Sequence, residues 1–216
     1  MQYGPTFFYL WPPRPKTTIK PFSPQYEAMK GRKWWKSQLK LNGQRNVIYI
    51  SPDREVQMWN RHGDTHQNYN VPPWLVEQVL SVVKPVDGWV AIDGELLHAK
   101  DKSIKNTLYW WDMLVYDSDY LIGRKYNARH QMLLDAVREP ISNDGHIAKV
   151  TDNIWLACMI EPEQFDAAWS RTEISYVEGF VFKDVNSALR PCLGRSNNHS
   201  WQVRCRKPHP GGCYRH

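Results

Sequence analysis

Along this chain, short dense runs of apolar residues alternate with segments in which apolar residues recur every three or four positions. The dense runs, at residues 47–50, 56–59, 89–97, 107–116, 147–160, 177–183 and 201–206, are rich in β-branched and aromatic side chains and predict strands. Leu75, Val76, Val79, Leu80 and Val83 fall on one helical face, opened by Pro72-Pro73 where proline is tolerated. Tyr126, His130, Leu133 and Val137 mark a second helix, and residues 163–169 a third. That order predicts an α+β fold of mostly antiparallel sheets with flanking helices.

Before residue 36 the pattern is different. Pro5, Pro12, Pro13, Pro15, Pro21 and Pro24 are scattered among basic and aromatic residues. Proline fixes φ and has no amide hydrogen, so residues 1–35 read as an extended arm wrapped on a domain of residues 36–216, not as a helix or central strand. Whether the arm only hugs that surface or also binds nucleic acid stays open at this level.

A chain of 216 residues that is 42% hydrophobic can bury a core of its own, and no internal repeat or low-complexity tract divides it. Its longest apolar stretches, near 110–116 and 154–160, are too short to cross a membrane, and the N-terminus has no apolar leader. A soluble, intracellular, cytoplasmic protein with no membrane partner is expected. The four cysteines are widely spaced, as free thiols are in such a compartment. A net charge of +6 and a pI near 9.1 favour a polyanionic partner.

The chemistry starts at Lys40-Leu41-Asn42-Gly43-Gln44-Arg45. In order there follow Arg61-His62-Gly63, Asp93-Gly94-Glu95-Leu96, Trp111-Asp112-Met113-Leu114, Glu178-Gly179-Phe180-Val181-Phe182-Lys183 and Trp201-Gln202-Val203-Arg204-Cys205-Arg206. Singly each is weak, and Asn-Gly is a common turn signal. As an ordered set from Lys40 to Arg206 they resemble the nucleotidyltransferase motifs of ATP-dependent DNA ligases, RNA ligases and mRNA capping enzymes. The details, with Gly123-Arg124-Lys125-Tyr126-Asn127-Ala128-Arg129, look most like compact DNA ligases of the kind viruses carry.

This resemblance implies an ATP-grasp-like core of two packed sheets that uses ATP and Mg²⁺ or Mn²⁺ to seal nicked double-stranded nucleic acid, DNA ahead of RNA. Lys40 would be the nucleophile and carry lysyl-AMP. Glu95 would contact the ribose, Glu178 would bind or position the metal, and Trp111 would stack on adenine. Arg45 would touch the ribose or nucleic-acid phosphates, and Arg61 the incoming 5′-phosphate. Lys183, Arg204 and Arg206 would be the cations around the nucleotide phosphates.

The residue types suit that chemistry physically. A lysine near its usual pKa of about 10.4 is almost always protonated at neutral pH, so a nucleophilic lysine needs neighbouring cations or burial. Strand periodicity puts Arg204 and Arg206 on one face and Trp201, Val203 and Cys205 on the other. Gln38, two residues before Lys40, faces the same way in an extended segment and has an amide suited to an adenine edge. Indole offers a broad face for stacking, but Tyr109, Trp110 and Trp111 are consecutive, so at least one belongs to the core.

Several features depart from the resemblance. Asn42 stands where an aspartate is usual, and Arg204 and Arg206, with Lys207 adjacent, replace two lysines. Only ten residues follow Arg206 in the 216-residue sequence, so no C-terminal oligonucleotide-binding (OB-fold) barrel is expected. The clamp would come from the arm and insertions of a monomer, or from a partner protein, or the sequence is a truncated one. Cys205, His209, Cys213 and His216 have spacings that could reach one zinc ion. Two other readings remain: an RNA ligase with the same chemistry, and a non-catalytic nucleic-acid-binding module.

Overall fold

A computed structural model describes residues 2–3, 7–191 and 197–208. Its strands are β1 (Gln2–Tyr3), β2 (Phe7–Phe8), β3 (Arg14–Ile19), β4 (Trp35–Leu41), β5 (Gln44–Ile50), β6 (Val56–Trp59), β7 (Val90–Leu97), β8 (Thr107–Tyr116), β9 (Asp119–Tyr120), β10 (Ser142–Asn143), β11 (Ile147–Lys149), β12 (Ile154–Ala157), β13 (Val177–Asp184) and β14 (Asn198–Arg206). The helices are α1 (Pro24–Lys30), α2 (Pro73–Val82), α3 (Tyr126–Ala136) and the single turn α4 (Phe165–Ala168), flanked by 3₁₀ turns.

Strands β1 and β2 pair with each other. The large sheet runs β10-β11-β12-β8-β7-β5-β6 with β9 on β8, and the small sheet runs β3-β14-β13-β4. The α+β class and the two-sheet architecture agree with the expectation. Pairing is antiparallel except at β12–β8 and β14–β3, so both sheets are mixed. No helix among the described residues is long and apolar enough to cross a membrane.

Two apolar cores flank the large sheet. One lies under α2 and α3 and contains Leu75, Val79, Leu133, Trp110 and Met113. The other fills the space between the sheets with Tyr109, Trp155, Leu39, Phe180, Phe182, Val203 and Cys205, closed by Tyr26 of α1 and Phe165 of α4. Ser37 and Ile160 exchange backbone hydrogen bonds of 3.0 and 2.8 Å, tying β4 to the segment after β12.

Several local readings change. The arm contains strand β3 and helix α1, because Pro24 occupies the first helical turn, where it costs no hydrogen bond, and Ser23 Oγ accepts from the Tyr26 amide at 3.3 Å. Strand β4 was not among the expected strands, since Lys36, Gln38 and Lys40 interrupt its apolar run. The single run at 147–160 folds as the hairpin β11–β12. Trp201 does not join Val203 and Cys205 in the inter-sheet core. The pairing of β14 is irregular between His199 and Val203, and Trp201 packs on Tyr126 and Arg129.

Candidate active site

Lys40 is the penultimate residue of β4, just before the chain leaves the small sheet. Asn42-Gly43 does not make a hairpin: β4 pairs with β13, whereas β5 pairs with β6 and β7. The dipeptide carries the chain from one sheet to the other. Gly43 is required there because a Cβ would run into Glu95 Cγ and the Leu96 carbonyl.

Cross-strand register then assembles the floor. Lys40 lies opposite Gly179, which lies opposite Arg206. The next row is Gln38, Val181 and Arg204, and the next Lys36, Lys183 and Gln202. Residues between these rows, Leu39, Phe180, Phe182, Val203 and Cys205, point the other way into the inter-sheet core. Gly179, at φ +143°, permits the row to close, since a Cβ would strike the Cys205 carbonyl.

Gln38, Lys40, Arg45, Arg61, Glu95, Trp111, Lys183, Arg204 and Arg206 all line one cleft of about 660 Å³. Glu178 is set back from its surface and ion-pairs with Lys40, while Arg206 Nε lies 3.5 Å from the same carboxylate oxygen. Burial raises the Glu95 pKa against the pull of Lys40 and Arg45. Burial and the neighbouring Arg206 lower the Arg204 pKa.

One cleft wall is a stack. Arg45 pairs with buried Asp93, lies 4.9 Å over the Trp111 ring, and donates to the Pro13 carbonyl at 3.0 Å. Trp111 Nε1 donates to Asp93 at 2.9 Å. Burial opposes the Arg45 charge, yet Asp93 holds its pKa above the usual value. Of the three consecutive aromatics, Tyr109 and Trp110 are core and Trp111 is half-buried at the cleft.

Beneath Trp111 lies a largely buried polar block whose Gln38 and Lys183 border the cleft. Lys183 Nζ donates to Gln38 Oε1 at 2.7 Å and to the Tyr126 hydroxyl at 2.8 Å. That hydroxyl lies 2.8 Å from Gln38 Oε1 and 2.7 Å from the Trp111 carbonyl. Gln38 Nε2 reaches the Ala157 carbonyl at 3.5 Å, so both ends of its amide are engaged within the protein. Burial lowers the Lys183 pKa from 10.5 to about 7. Behind it, Arg129 and Asp112 form a bidentate pair at 2.9 and 2.8 Å.

The sequence patterns did not single out Tyr126 as a site residue, because its spacing on α3 reads as a core position. Asp93 and Asp112 stood inside quoted motifs without roles. A loop wall of His62, His66 and Tyr69 also borders the cleft. His66 Nε2 lies 2.9 Å from Asn46 Oδ1, and burial lowers its pKa. Apart from His62, which lies in the Arg61-His62-Gly63 run, the sequence offers no signal for that wall.

Among the described residues no three His, Cys, Asp or Glu side chains gather as a metal cage. Glu95 and Glu178 do interact electrostatically beside Lys40. One or two carboxylates completed by phosphate oxygens suit Mg²⁺, so these residues fit an ion that arrives with nucleotide. For the zinc set, Cys205 is buried in the core with its pKa pushed up to about 12, while His209, Cys213 and His216 lie outside the described residues.

No protein-family model and no curated protein matches the chain. Solved structures do. Pmar-Lig_Pre aligns over 89% of this chain and 46% of its own, at 17% identity and a TM-score of 0.59. Mycobacterial DNA ligase D complexed with ATP and MES aligns over 81% and 55%, at 16% identity and 0.54. The ligase domain of M. tuberculosis LigD aligns over 78% and 52%, at 16% and 0.52. The chain thus spans about half the length of the structures it matches. The fold is that of DNA ligase nucleotidyltransferase domains.

Proposed function

We propose that this chain is the catalytic core of an ATP-dependent DNA ligase that seals nicks through lysyl-AMP on Lys40. The observation that carries the reading is the row Lys40–Gly179–Arg206, with Glu178 on Lys40, on the floor of a cation-lined cleft beside the Trp111 ring. The solved mycobacterial ligase, which shares the fold, holds ATP.

The adenine face would lie on Trp111, whose ring is held by its bond to Asp93, once the Arg45 guanidinium that covers the ring swings off it toward the ribose or phosphates. Glu95 would take the ribose hydroxyls, with Arg204 and Arg206 on the phosphates. Lys40 Nζ, released from Glu178 and having lost a proton to water in the cleft, attacks the α-phosphorus. The bond to the β-phosphate oxygen breaks and pyrophosphate leaves. A divalent ion held by Glu178 would offset the charge spread over that transition state. An oxygen of a 5′-phosphate, guided by Arg61, then attacks the same phosphorus and frees Lys40. Finally the neighbouring 3′-hydroxyl attacks the 5′-phosphorus, forming the phosphodiester and expelling AMP.

Incubation with Mg²⁺ and ATP labelled on the α-phosphate tests this directly. The expected result is a covalent adduct that GTP does not give and Lys40→Ala does not form. Absence of an adduct from both nucleotides, or an adduct that survives Lys40→Ala, would overturn the reading and leave a non-catalytic binding module. Nicked DNA and nicked RNA duplexes compared with the same protein identify the acceptor, and sealing of the RNA duplex alone would make it an RNA ligase.

A further inference from the structure

We propose that Arg14 and Lys16, on the cleft side of β3, form a phosphodiester-binding track that holds the nucleic-acid strand running away from the acceptor phosphate. This rests on the nucleic-acid-joining role proposed above and adds to it a binding site on the N-terminal arm.

The arm is fastened to both sheets. Tyr9 and Leu10 are buried in the core of the large sheet, and the Leu10 amide donates to the Tyr49 hydroxyl at 3.2 Å. Pro13 accepts from Arg45 at 3.0 Å, and Trp11 accepts from Asn197 Nδ2 at 2.6 Å. The Arg14 amide donates to the Asn197 carbonyl at 2.7 Å, after which β3 runs parallel to β14. Side chains fixed to so anchored a backbone are held in place before any ligand arrives, which lowers the ordering cost of binding.

Register decides which side chains face the cleft. Ile19 lies opposite Cys205 and packs on the inter-sheet core, whereas Thr18 lies opposite Arg204. Along β3 itself, alternation puts Lys16 on the same side as Thr18, although the pairing with β14 is irregular between His199 and Val203. Arg14 and Pro15 line the cleft, Lys16 is exposed just beyond that lining, and the Arg14 guanidinium reaches the Arg61 carbonyl at 3.4 Å. The cleft thus has two ends of different character. Glu95, the one carboxylate among its described lining residues, interacts with Lys40, while Arg14 of β3 meets Arg61 of the loop after β6. Beyond Arg14, Lys16, Thr17 and Thr18 are exposed along an open edge strand. A nucleotide would occupy the cleft around Lys40; cations beyond it suit a polymer of phosphates.

Arg14→Ala and Lys16→Ala test the track in two assays on the same preparations: lysyl-AMP formation without nucleic acid, and binding of a nicked duplex across a salt series. Adduct formation should stay at the wild-type rate. Duplex affinity should fall severalfold at low salt, and the slope of log K against log[salt] should shrink by about 1 for each lost cation. Arg14→Lys should restore the slope. Unchanged affinity and slope in Arg14→Ala would overturn the proposal. So would loss of adduct formation in that variant, which would make Arg14 part of the nucleotide site or of the fold. If wild-type protein forms no adduct, the ligase reading falls, and the salt series still decides the track.

Discussion

Two cation–carboxylate pairs mark a sealed region behind the cleft and an open one on its floor. In the sealed region Arg129 and Asp112 are 0% and 2% exposed, and Arg129 also donates to the Arg124 carbonyl at 2.7 Å. In the open region Lys40 and Glu178 are 18% and 13% exposed, and Arg206 competes for the same oxygen. Each sealed group is saturated by fixed partners, so losing one strands a charge where water cannot reach it. The open pair borders solvent and a second cation, so it can be exchanged for a ligand at little cost. Burial and saturation separate scaffold from chemistry here more clearly than residue type does.

Substitutions sharpen or break that contrast. Lys40→Ala should abolish the AMP adduct while changing unfolding free energy by no more than about 1 kcal/mol, as expected for a partly exposed pair. A larger loss in denaturant titration would move Lys40 into the scaffold. Arg129→Ala should cost about 3–5 kcal/mol in the same titration, and a cost below about 1 kcal/mol would mean that the pair is not sealed. Tyr126→Phe removes the hydroxyl that Lys183 and Gln38 share, and should cost about 1–3 kcal/mol. It should also raise KM for ATP more than it lowers kcat, because the Trp111 wall loses its support; a purely global effect would leave KM alone.

A further effect concerns pH. With Lys183 lowered from 10.5 to about 7, the unfolded chain binds more protons than the folded one between about pH 7 and 10.5. Stability therefore rises with pH across that window. Lys183→Met should flatten this rise between pH 7 and 9. An unchanged slope would mean that Lys183 is charged in the folded protein.

How much could be read beforehand differs by element. Strands β5 to β8 and helices α2 and α3 were legible because their apolar periodicity is a local property of ten or so residues. Strand β4 was not, because its cleft face carries Lys36, Gln38 and Lys40, and its burial comes from β13, more than a hundred residues away. Helix α1 was hidden by a proline that is harmless at the first turn. The order of motifs brought out Lys40, Glu95, Trp111, Arg204 and Arg206, which do share one cleft. The roles of Asp93, Asp112 and Tyr126 were invisible, since each is defined by a distant partner: Arg45 and Trp111 for Asp93, Arg129 for Asp112, Gln38 and Lys183 for Tyr126.

Composition and local periodicity were enough to establish an α+β chain with an excess of basic residues, because propensity, alternation and charge are carried by neighbouring residues. Which cations are neutralised and which stay open to the cleft was decided only by the tertiary structure. Pairing energies depend on distance and on exclusion of water, and the register of β4, β13 and β14 and the crossing of the arm determine both. Lys40 and Arg129 are both basic residues in the sequence; folding puts one beside an open cleft and the other out of reach of solvent.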